Sequence, residues 1–451
     1  MKKNLLICMI FLLLAFLQLH AQAPKLLWKA GIAKTVITPK DSIWMAGYAH
    51  RDHEAEGALH DIWVKALAIE DAKGVQAIFV STDLLGLPRN ISEVVCRRLQ
   101  TSLGLERSQI LLTSSHTHTG PVLRNSLMDI YDLKASQLAD IEAYSQRLED
   151  WIVRTVEKAV KRLSLARLSV GSGVIRFAIN RRNNTESEIH RLTAFRGPVD
   201  HSVPVIKISK PNGKIMGIVF GYACHATCLS FYQWSGDYPG FAQMELEKMY
   251  PGATALFFAG CGADQNPLPR RTVALAQQYG TNLADAVKRV LDEPMKPLNP
   301  QLHTQYAELK LRLSAPPSPQ ELQAILQDKN AGKYSHKWAS RWLKQVEAGA
   351  EIPTHYPYYP VQSWQLGDQI LVALGGEVVV DYAIRLKRIH GQDLMVIGYA
   401  NDVMAYIPSV RVLREGGYEG KTSMQVYGLP SSWDARIEEE IVAEVSRQLR
   451  E

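Results

Sequence analysis

Short apolar runs alternate along this chain with longer stretches in which apolar residues recur at helical spacing. Runs that are apolar throughout predict strands covered on both faces, and the 3.6-residue period predicts amphipathic helices. The predicted strands are 76–81, 109–113, 214–223, 253–258, 305–313, 364–366, 369–374 and 394–397. The predicted helices are 91–100, 135–163, 272–291, 378–389 and 435–451. This alternation predicts an α/β fold, a layered α/β sandwich with a mixed sheet.

A change of pattern near residue 300 predicts two lobes. A strand-like run and the proline-rich turn 315–319 begin a smaller second lobe over 299–451, after a first α/β lobe over 24–298. Inside the second lobe, Gly367-Asp368 between two apolar runs is typical of a two-residue hairpin. No internal repeat, low-complexity tract or long linker separates the lobes, so we expect them to fold together as one unit.

The N-terminal segment predicts export. Two lysines precede an apolar run over 5–17, and small residues close the segment around Ala21 and Ala23, which is the order of regions in a secretory signal peptide. The predicted signal peptide is 1–23. Its apolar run is shorter than the roughly 20 residues of a membrane span, so we expect no transmembrane segment after cleavage. The expected location is the periplasm of a bacterium or the external medium.

Charge and cysteine usage argue against a nucleic-acid-binding protein and against a thiolate zinc site. The 51 basic residues exceed the 45 acidic residues by only six, and no long basic run occurs, so nucleic-acid binding is not expected. The cysteines beyond the signal peptide lack the paired spacing of a thiolate zinc site. An exported protein can pair such residues, but we interpret them as buried small hydrophobic residues: Cys96, Cys224, Cys228 and Cys261.

A histidine pair gives the first indication of chemistry. His116 and His118 follow the apolar run 110–112 directly. In an extended segment the i, i+2 spacing turns both side chains to one face. One imidazole can then bind a divalent metal ion while the other transfers a proton or contacts substrate. By itself the pair is equally typical of hydrogen-bonded turn residues.

Three more polar side chains follow predicted strands. His225 comes after the strand at 214–223, Glu377 after 369–374 and Tyr406 after 394–397. Functional sites of open α/β sheets gather beyond strand ends, so this placement favours a common site. Taken singly, His225 is more typical of a core histidine, Glu377 of a carboxylate at a helix start and Tyr406 of a packing residue.

Several blocks over most of the mature chain resemble the neutral/alkaline, non-lysosomal ceramidase family, whose members are zinc amidases that cleave the N-acyl bond of ceramide. The blocks are 116–121, 180–181, the segment around 225, 376–377, 401–406 and 414–428. The resemblance implies that His118, Arg181 and Tyr418 line the reaction site. It implies zinc bound by His116, His225, Glu377 and Tyr406.

Elementary chemistry agrees with the implied ligand set. Two neutral imidazoles and a carboxylate match the three-ligand sets of catalytic zinc sites, which leave a position for water, and a tyrosine oxygen is a weaker fourth ligand. Together with this ligand set, the resemblance implies a zinc-dependent amidohydrolase that converts ceramide to sphingoid base and fatty acid by zinc-activated water. Arg181 and Tyr418 are suited to stabilise the oxyanion, and His118 to protonate the leaving amine.

Two departures from the family pattern concern the substrate. Members that cleave ceramide carry Gly-Asp-x-Ser-Pro-Asn, whereas residues 263–268 read Ala-Asp-Gln-Asn-Pro-Leu. Asp264 is retained and predicted to be catalytic. Asn266 replaces the serine and is predicted to bind substrate through its amide, which cannot act as a serine nucleophile. The chain also ends soon after the last block, so we expect the C-terminal β-sandwich domain of full-length members to be absent.

Two alternatives stand beside ceramide cleavage. A zinc deacylase or esterase acting on a polar glycan or another N-acylated metabolite would be favoured by a shallow, polar pocket. A non-catalytic exported binding protein would follow if Asn266 marks a lost activity. The expected partner is a small N-acylated molecule. The aromatic stretches 338–342 and 356–360 would contact it if they formed a lip at the site. We interpret them instead as packing between the lobes.

Overall fold

The computed structural model of this protein describes residues 27–127 and 129–450. The predicted signal peptide lies outside the described residues. The strands, numbered in chain order, are β1 (Trp28–Val36), β2 (Gly57–Ala58), β3 (Trp63–Glu70), β4 (Gln76–Thr82), β5 (Ile110–Ser114), β6 (Ser164–Val174), β7 (Ala178–Asn180), β8 (Ser202–Ser209), β9 (Ile215–Tyr222), β10 (Gln233–Trp234), β11 (Thr254–Ala259), β12 (Gln265–Pro267), β13 (Lys296–Leu298), β14 (Leu302–Arg312), β15 (His355–Leu366), β16 (Gln369–Leu374), β17 (Glu377–Val378), β18 (Met395–Ile397) and β19 (Tyr406–Ile407).

The helices connect these strands and close the chain. They are α1 (Arg89–Leu103), α2 (Ala135–Val160), α3 (Asp237–Met249), α4 (Val273–Asp292), α5 (Pro319–Gln327), α6 (Lys333–Glu347), α7 (Val380–His390), α8 (Val410–Glu415), α9 (Ser423–Val426) and α10 (Ile437–Gln448). Short 3₁₀ turns occur at Arg107–Gln109 and Glu186–Arg191, and a π-helical turn at Tyr418–Thr422. None of the helices in the described part of the chain is long and apolar enough to span a membrane.

Two mixed sheets form the centre of the molecule. Among the described residues, the larger sheet has the order β11-β9-β8-β6-β1-β3-β4-β5, with β13 beside β6. The smaller sheet has the order β14-β15-β16-β18. Parallel pairs occur at β9–β11 and β4–β5 in the first sheet and at β16–β18 in the second, while the other neighbours are antiparallel. The mixed-sheet prediction is therefore confirmed.

Alternating side chains define four layers. In β3, Val64 and Ala66 face the core beneath α1 and α2, whereas Leu67 faces the opposite core, which it shares with Trp364 and Leu371 of the smaller sheet. The other face of the smaller sheet packs on α7 and α10. Because successive side chains of a strand point to opposite faces, each sheet buries both surfaces. The result is a helix–sheet–sheet–helix sandwich, which confirms the predicted layered α/β architecture.

The pattern analysis missed several elements. The strands β1, β3, β6 and β8 and the helix α3 were not predicted. Lys65 interrupts the apolar run of β3, yet it is buried and its Nζ lies 2.7 Å from Glu247 Oε1. Pro239 and Gly240 occupy the first turn of α3, where proline is tolerated because the first helical amides need no partner within the helix. Tertiary pairing therefore outweighs local pattern at these positions.

The chain passes between the sheets close to the predicted lobe boundary. Leu298 ends β13 in the larger sheet, and Leu302 begins β14 in the smaller one. Both residues belong to the apolar layer that the two sheets share. Whether the lobes unfold together stays a prediction, and the shared layer is the reason to expect one cooperative transition.

Leu371→Ala tests this layer. Leu371 is buried between the sheets, and removal of its side chain leaves a cavity that neither sheet can close. We expect the free energy of unfolding to fall by about 2–5 kcal/mol, measured by urea denaturation. The control Leu165→Ala removes a leucine that is 53% exposed and should change the free energy by about 0.5 kcal/mol or less. Two separate transitions would contradict joint folding of the lobes.

Candidate active site

His116 lies two residues beyond β5 in a sparsely populated backbone conformation. Its φ is +59°, which is in the left-handed region that costs energy for a residue with a Cβ. Its Nδ1 lies 2.7 Å from the carbonyl oxygen of Leu85, and the ring of Tyr399 covers it with a centroid separation of 4.2 Å. The carbonyl only accepts, so Nδ1 carries the proton and Nε2 is left with a lone pair.

His225 follows β9 and is held in the same way. Its Nδ1 lies 2.8 Å from the carbonyl oxygen of Gly262, and its backbone amide donates to Gln265. Burial, with Arg181 next in effect, lowers the pKa of His225 to about 4. The imidazole is therefore neutral at pH 7, which is the form that binds metal ions.

Glu377 and Tyr406 are aligned by a short parallel pair. Strand β17 pairs with β19 so that these two residues face each other in register. Glu377 Oε1 accepts a hydrogen bond of 2.5 Å from the hydroxyl of Tyr427. Its other oxygen, Oε2, lies 3.1 Å from Nε2 of both His116 and His225. Tyr406 Oη lies 3.3 Å from His225 Nε2.

The donor set of these residues fits a divalent cation. Oε2 of Glu377 is buried, with no hydrogen-bond donor in the described part of the chain. The two nearest nitrogens present lone pairs, because their rings have already given the Nδ1 protons to carbonyls. A cation would satisfy three acceptors that converge without a proton between them, and histidines bound to carbonyls in this way are typical metal ligands.

His118 belongs to the same cluster but is held differently. The ligand atoms of His116, His118 and His225 all lie within 4.8 Å of one another. Nδ1 of His118 is buried and unpaired among the described residues. Burial, and then the two neighbouring imidazoles, lower the pKa of His118 well below its usual value. A side chain at Gly47 would place its Cβ 2.4 Å from this ring, so only glycine leaves room for it.

Arg181 supplies the positive charge of the site. Its Nη2 donates to Tyr406 Oη at 3.1 Å, its Nε to Glu419 at 2.7 Å and its Nη1 to Asn266 Oδ1 at 3.3 Å. Burial disfavours the charge, yet Tyr406 and Glu419 hold the pKa of Arg181 well above its usual value. The guanidinium is therefore fixed beside the three acceptors, with Tyr418 stacked 5.8 Å from it.

Asp264 lies behind this guanidinium. Its carboxylate accepts from the amide of Val380 at 2.9 Å and from Asn180 Nδ2 at 3.1 Å, and its backbone carbonyl accepts from the amide of Arg181 at 2.8 Å. Burial raises the pKa of Asp264 to about 6. These contacts position Arg181 and the start of α7. The predicted catalytic role of Asp264 stays a prediction.

A cleft of about 480 Å³ opens on this side of the cluster. Tyr418, which is 42% exposed, lies on it with Arg181 and Asn266. The remaining lining residues are mostly polar: Arg182, Asn184, Thr185, Glu186, Leu268, Gly417 and Glu419. The structure thus brings every predicted site residue into or directly behind one cluster.

Several residues around the cluster had no assigned role at the level of sequence. Tyr427 binds Glu377, Glu419 binds Arg181, and the ring of Tyr399 covers His116. Tyr427 and Glu419 fall within the 414–428 block, so their placement in a family motif was the only signal. Of the aromatic stretches, Trp338 and Trp342 are buried against α5. They are packing residues, but α5 belongs to the same lobe, so the prediction that they pack between the lobes is wrong for them.

The four cysteines beyond the signal peptide are buried and unbridged, in agreement with their interpretation as small core residues. Burial raises the pKa of the Cys224 and Cys228 thiols well above the usual value. Thiolate chemistry at these positions is therefore disfavoured.

Comparison with known proteins shows to which family the chain belongs. The family model described as neutral/alkaline non-lysosomal ceramidase, N-terminal, matches residues 28–284. The chain belongs to this family. The match confirms the resemblance that the sequence blocks indicated, and it includes the histidine pair, Arg181, His225 and Asn266.

Relatives and solved structures agree. The chain is 28% identical over 239 residues to a neutral ceramidase of Pseudomonas aeruginosa, across 51% of this chain and 35% of that protein. It is 27% identical over 223 residues to neutral ceramidase A of Dictyostelium discoideum, across 47% and 30%. The alignments thus span about a third of each relative. The crystal structure of the Pseudomonas enzyme matches with a TM-score of 0.71 and 19% identity, covering 95% of this chain and 75% of that one.

A second solved structure, a ceramidase complexed with C2, matches with a TM-score of 0.70 and 20% identity, covering 94% of this chain and 75% of that one. At these identities the likeness establishes the fold. It spans both sheets, so the smaller lobe is part of the shared architecture although the family model ends at residue 284.

Tyr427→Phe tests the metal site through a residue that binds only the carboxylate. Loss of the 2.5 Å hydrogen bond leaves Glu377 free to rotate. We expect the affinity for a divalent transition metal to fall by about 10- to 100-fold, measured by competition with a chromogenic chelator. The control is Tyr144→Phe, which removes a buried hydroxyl bonded to the carbonyl of Ile37. Equal affinities in both variants would argue against the site.

Asp402→Asn tests the electrostatics of the segment behind the cluster. Burial raises the pKa of Asp402 to about 6, against about 3.9 in an unfolded chain. Between these values the folded state binds more protons, so this group makes the protein less stable as pH rises. We expect the stability advantage of the variant to grow by up to about 3 kcal/mol between about pH 4 and 7, measured by urea denaturation.

The asparagine keeps an oxygen that accepts from the Tyr356 hydroxyl. The control Asp140→Asn alters an exposed carboxylate on α2 and should leave the pH profile unchanged. A constant difference between Asp402→Asn and the parent across this range would show that Asp402 is charged throughout.

Proposed function

We propose that this protein hydrolyses the N-acyl amide bond of a ceramide-type lipid, giving a fatty acid and a sphingoid base. The observation that carries the proposal is the convergence of His116 Nε2, His225 Nε2 and Glu377 Oε2 beside the Arg181 guanidinium. The family of the chain and the names of its relatives support the amide substrate. Export through the predicted signal peptide is part of the proposal.

The same convergence supports zinc as the cofactor. His116, His225 and Glu377 would hold the ion, with Tyr406 as a fourth ligand. Two imidazole nitrogens beside two oxygen donors suit Zn²⁺ better than the oxygen-preferring Ca²⁺ or Mg²⁺. When bound, zinc supplies Lewis acidity and lowers the pKa of water towards 7.

His118 is placed to move the proton of the reaction. Hydrolysis adds the OH of water to the carbonyl carbon and a hydrogen to the departing nitrogen, so one group must take a proton and return it. Nδ1 of His118 is buried and unpaired among the described residues, so this nitrogen is open to a proton. A base in this state accepts the proton from water and delivers it to the amine.

Arg181 is placed to stabilise the negative charge that forms on the carbonyl oxygen. Its position is fixed by Glu419, Asn266 and Tyr406 before substrate enters, so little reorganisation is needed. Tyr418 lies over the guanidinium with its ring on the cleft and offers a hydroxyl to the same charge. Asn266 presents its amide to the cleft, where it orients substrate by hydrogen bonding.

A second candidate is hydrolysis of a polar N-acylated compound, such as an acylated amino sugar. The observation that favours it is the polar lining of the cleft beside Arg181. Charged and amide side chains there suit hydroxyl groups, which a sphingoid head group and a sugar share. The two candidates therefore differ in what lies beyond the head group.

The first experiment measures release of fatty acid and sphingoid base from a short-chain ceramide in detergent by mass spectrometry. We expect release by zinc-loaded protein and none after chelation. Arg181→Lys keeps the charge but loses the forked donors, so kcat should fall by about 100- to 1000-fold. The control Arg385→Lys alters an arginine that pairs with Glu438 and Glu439 away from the cluster and should retain turnover.

The same preparations are assayed for zinc by mass spectrometry and for an N-acylated amino sugar as substrate. Zinc-loaded protein that cleaves only the sugar would support the second candidate and overturn the first. Zinc-loaded protein that cleaves neither compound would indicate a binding protein instead of an enzyme.

A further inference from the structure

One surface segment near the cleft has a fixed base. Asn184 donates to the carbonyl of Arg196 at 2.7 Å and accepts from the amide of the same residue at 3.0 Å. Asn180 Nδ2 donates to the carbonyl of Pro198 at 2.9 Å. These bonds close residues 185–196 into a loop, which we call the 185–196 loop. Its two ends meet, so the loop projects as a unit.

The base of this loop is part of the cleft. Asn184, Thr185 and Glu186 line it together with Arg181 and Asn266. Glu186 is tied down by an ion pair of 2.5 Å to Arg270 and another of 3.2 Å to Arg271. The loop therefore rises from the rim of the cleft.

The tip exposes apolar and cationic side chains together. Every residue from 190 to 197 is exposed. Phe195 is 56% exposed and Leu192 is 37% exposed. Arg191 and Arg196 flank them, and neither guanidinium has an ion pair within residues 27–127 and 129–450. Other exposed large apolar residues, such as Leu165 and Ile389, lie on separate elements.

This combination suits a lipid surface better than a protein partner. Arginine side chains pair with lipid phosphates while neighbouring apolar side chains enter the boundary between head groups and acyl chains. Two apolar side chains on one loop bury far less than the roughly 1,200 Å² of a stable protein interface. An anionic bilayer can instead be reached by a small projecting tip, and its charge complements the two arginines.

We propose that the 185–196 loop docks the protein on an anionic phospholipid surface. Leu192 and Phe195 enter the boundary region, and Arg191 and Arg196 bind the phosphates. The cleft mouth is thereby brought to the surface that holds the lipid substrate. The inference rests on the proposed function for that substrate, whereas docking itself is measured without any substrate.

The test is sedimentation with vesicles that contain no ceramide. The protein used is the processed chain from residue 24, which includes every described residue and omits the apolar leader. We expect it to bind vesicles of phosphatidylcholine and phosphatidylglycerol and to bind phosphatidylcholine alone weakly. The double variant Leu192→Ser, Phe195→Ser should reduce binding by about tenfold or more. The double variant Arg191→Gln, Arg196→Gln should reduce it and weaken its dependence on salt.

The matched control is Leu165→Ser with Ile389→Ser, which removes two exposed apolar side chains elsewhere and should bind as the parent does. Equal binding by the loop variants and this control would overturn the proposal. So would parent protein that ignores anionic vesicles or that self-associates through the same loop in sedimentation velocity.

Hydrolysis assays separate docking from the proposed function. Loop variants should keep the turnover of short-chain ceramide in detergent and lose turnover of long-chain ceramide in anionic vesicles. Loop-dependent vesicle binding by protein that hydrolyses neither ceramide would support docking and overturn the proposed function. Hydrolysis of both ceramides by the loop variants at parental rates would overturn docking and support the proposed function.

Discussion

The site is organised around three hydrogen-bond acceptors that converge on one point, an arrangement that a bound cation would satisfy. His116 and His225 donate their Nδ1 protons to backbone carbonyls, so each Nε2 meets Glu377 Oε2 at 3.1 Å with no proton between the nitrogen and that oxygen. Buried acceptors left in this state cost free energy. The two carbonyl bonds and the Tyr427 hydroxyl nevertheless hold the arrangement in place. The surroundings thus hold the three candidate ligand atoms together.

The packing of the two sheets brings the side chains of the site together. His116 and His225 follow strands of the larger sheet, whereas Glu377 and Tyr406 follow strands of the smaller one. The apolar layer between the sheets fixes their relative position. Backbone bonds then offset local strain: Asn401, with a φ of +63°, exchanges bonds with Leu112 on β5. A rigid scaffold of this kind suits a site whose geometry must be kept within fractions of an ångström.

The polar cleft and the proposed docking loop are adjacent parts of the molecule. Asn184 contributes to both, since it lines the cleft and closes the loop. In the proposed reaction, a polar cleft would receive the amide and the head group, while the apolar chains need not be enclosed if they stay in contact with a lipid surface. The arrangement therefore does not require the long apolar groove that a fully extracted ceramide would need.

The sequence by itself determined the layered α/β class and the positions of His116, His225 and Glu377 at strand ends, because apolar runs and the polar residues that follow them are local patterns. It did not reveal β1, β3, β6 or β8. Lys65 shows the reason, since its buried ion pair with Glu247 is made across 182 positions of the chain. Tertiary structure alone decided that Tyr427 orients Glu377 and that Asp264 supports Arg181. Such contacts depend on how two sheets pack, and packing joins residues whose separation in the chain carries no periodic signal.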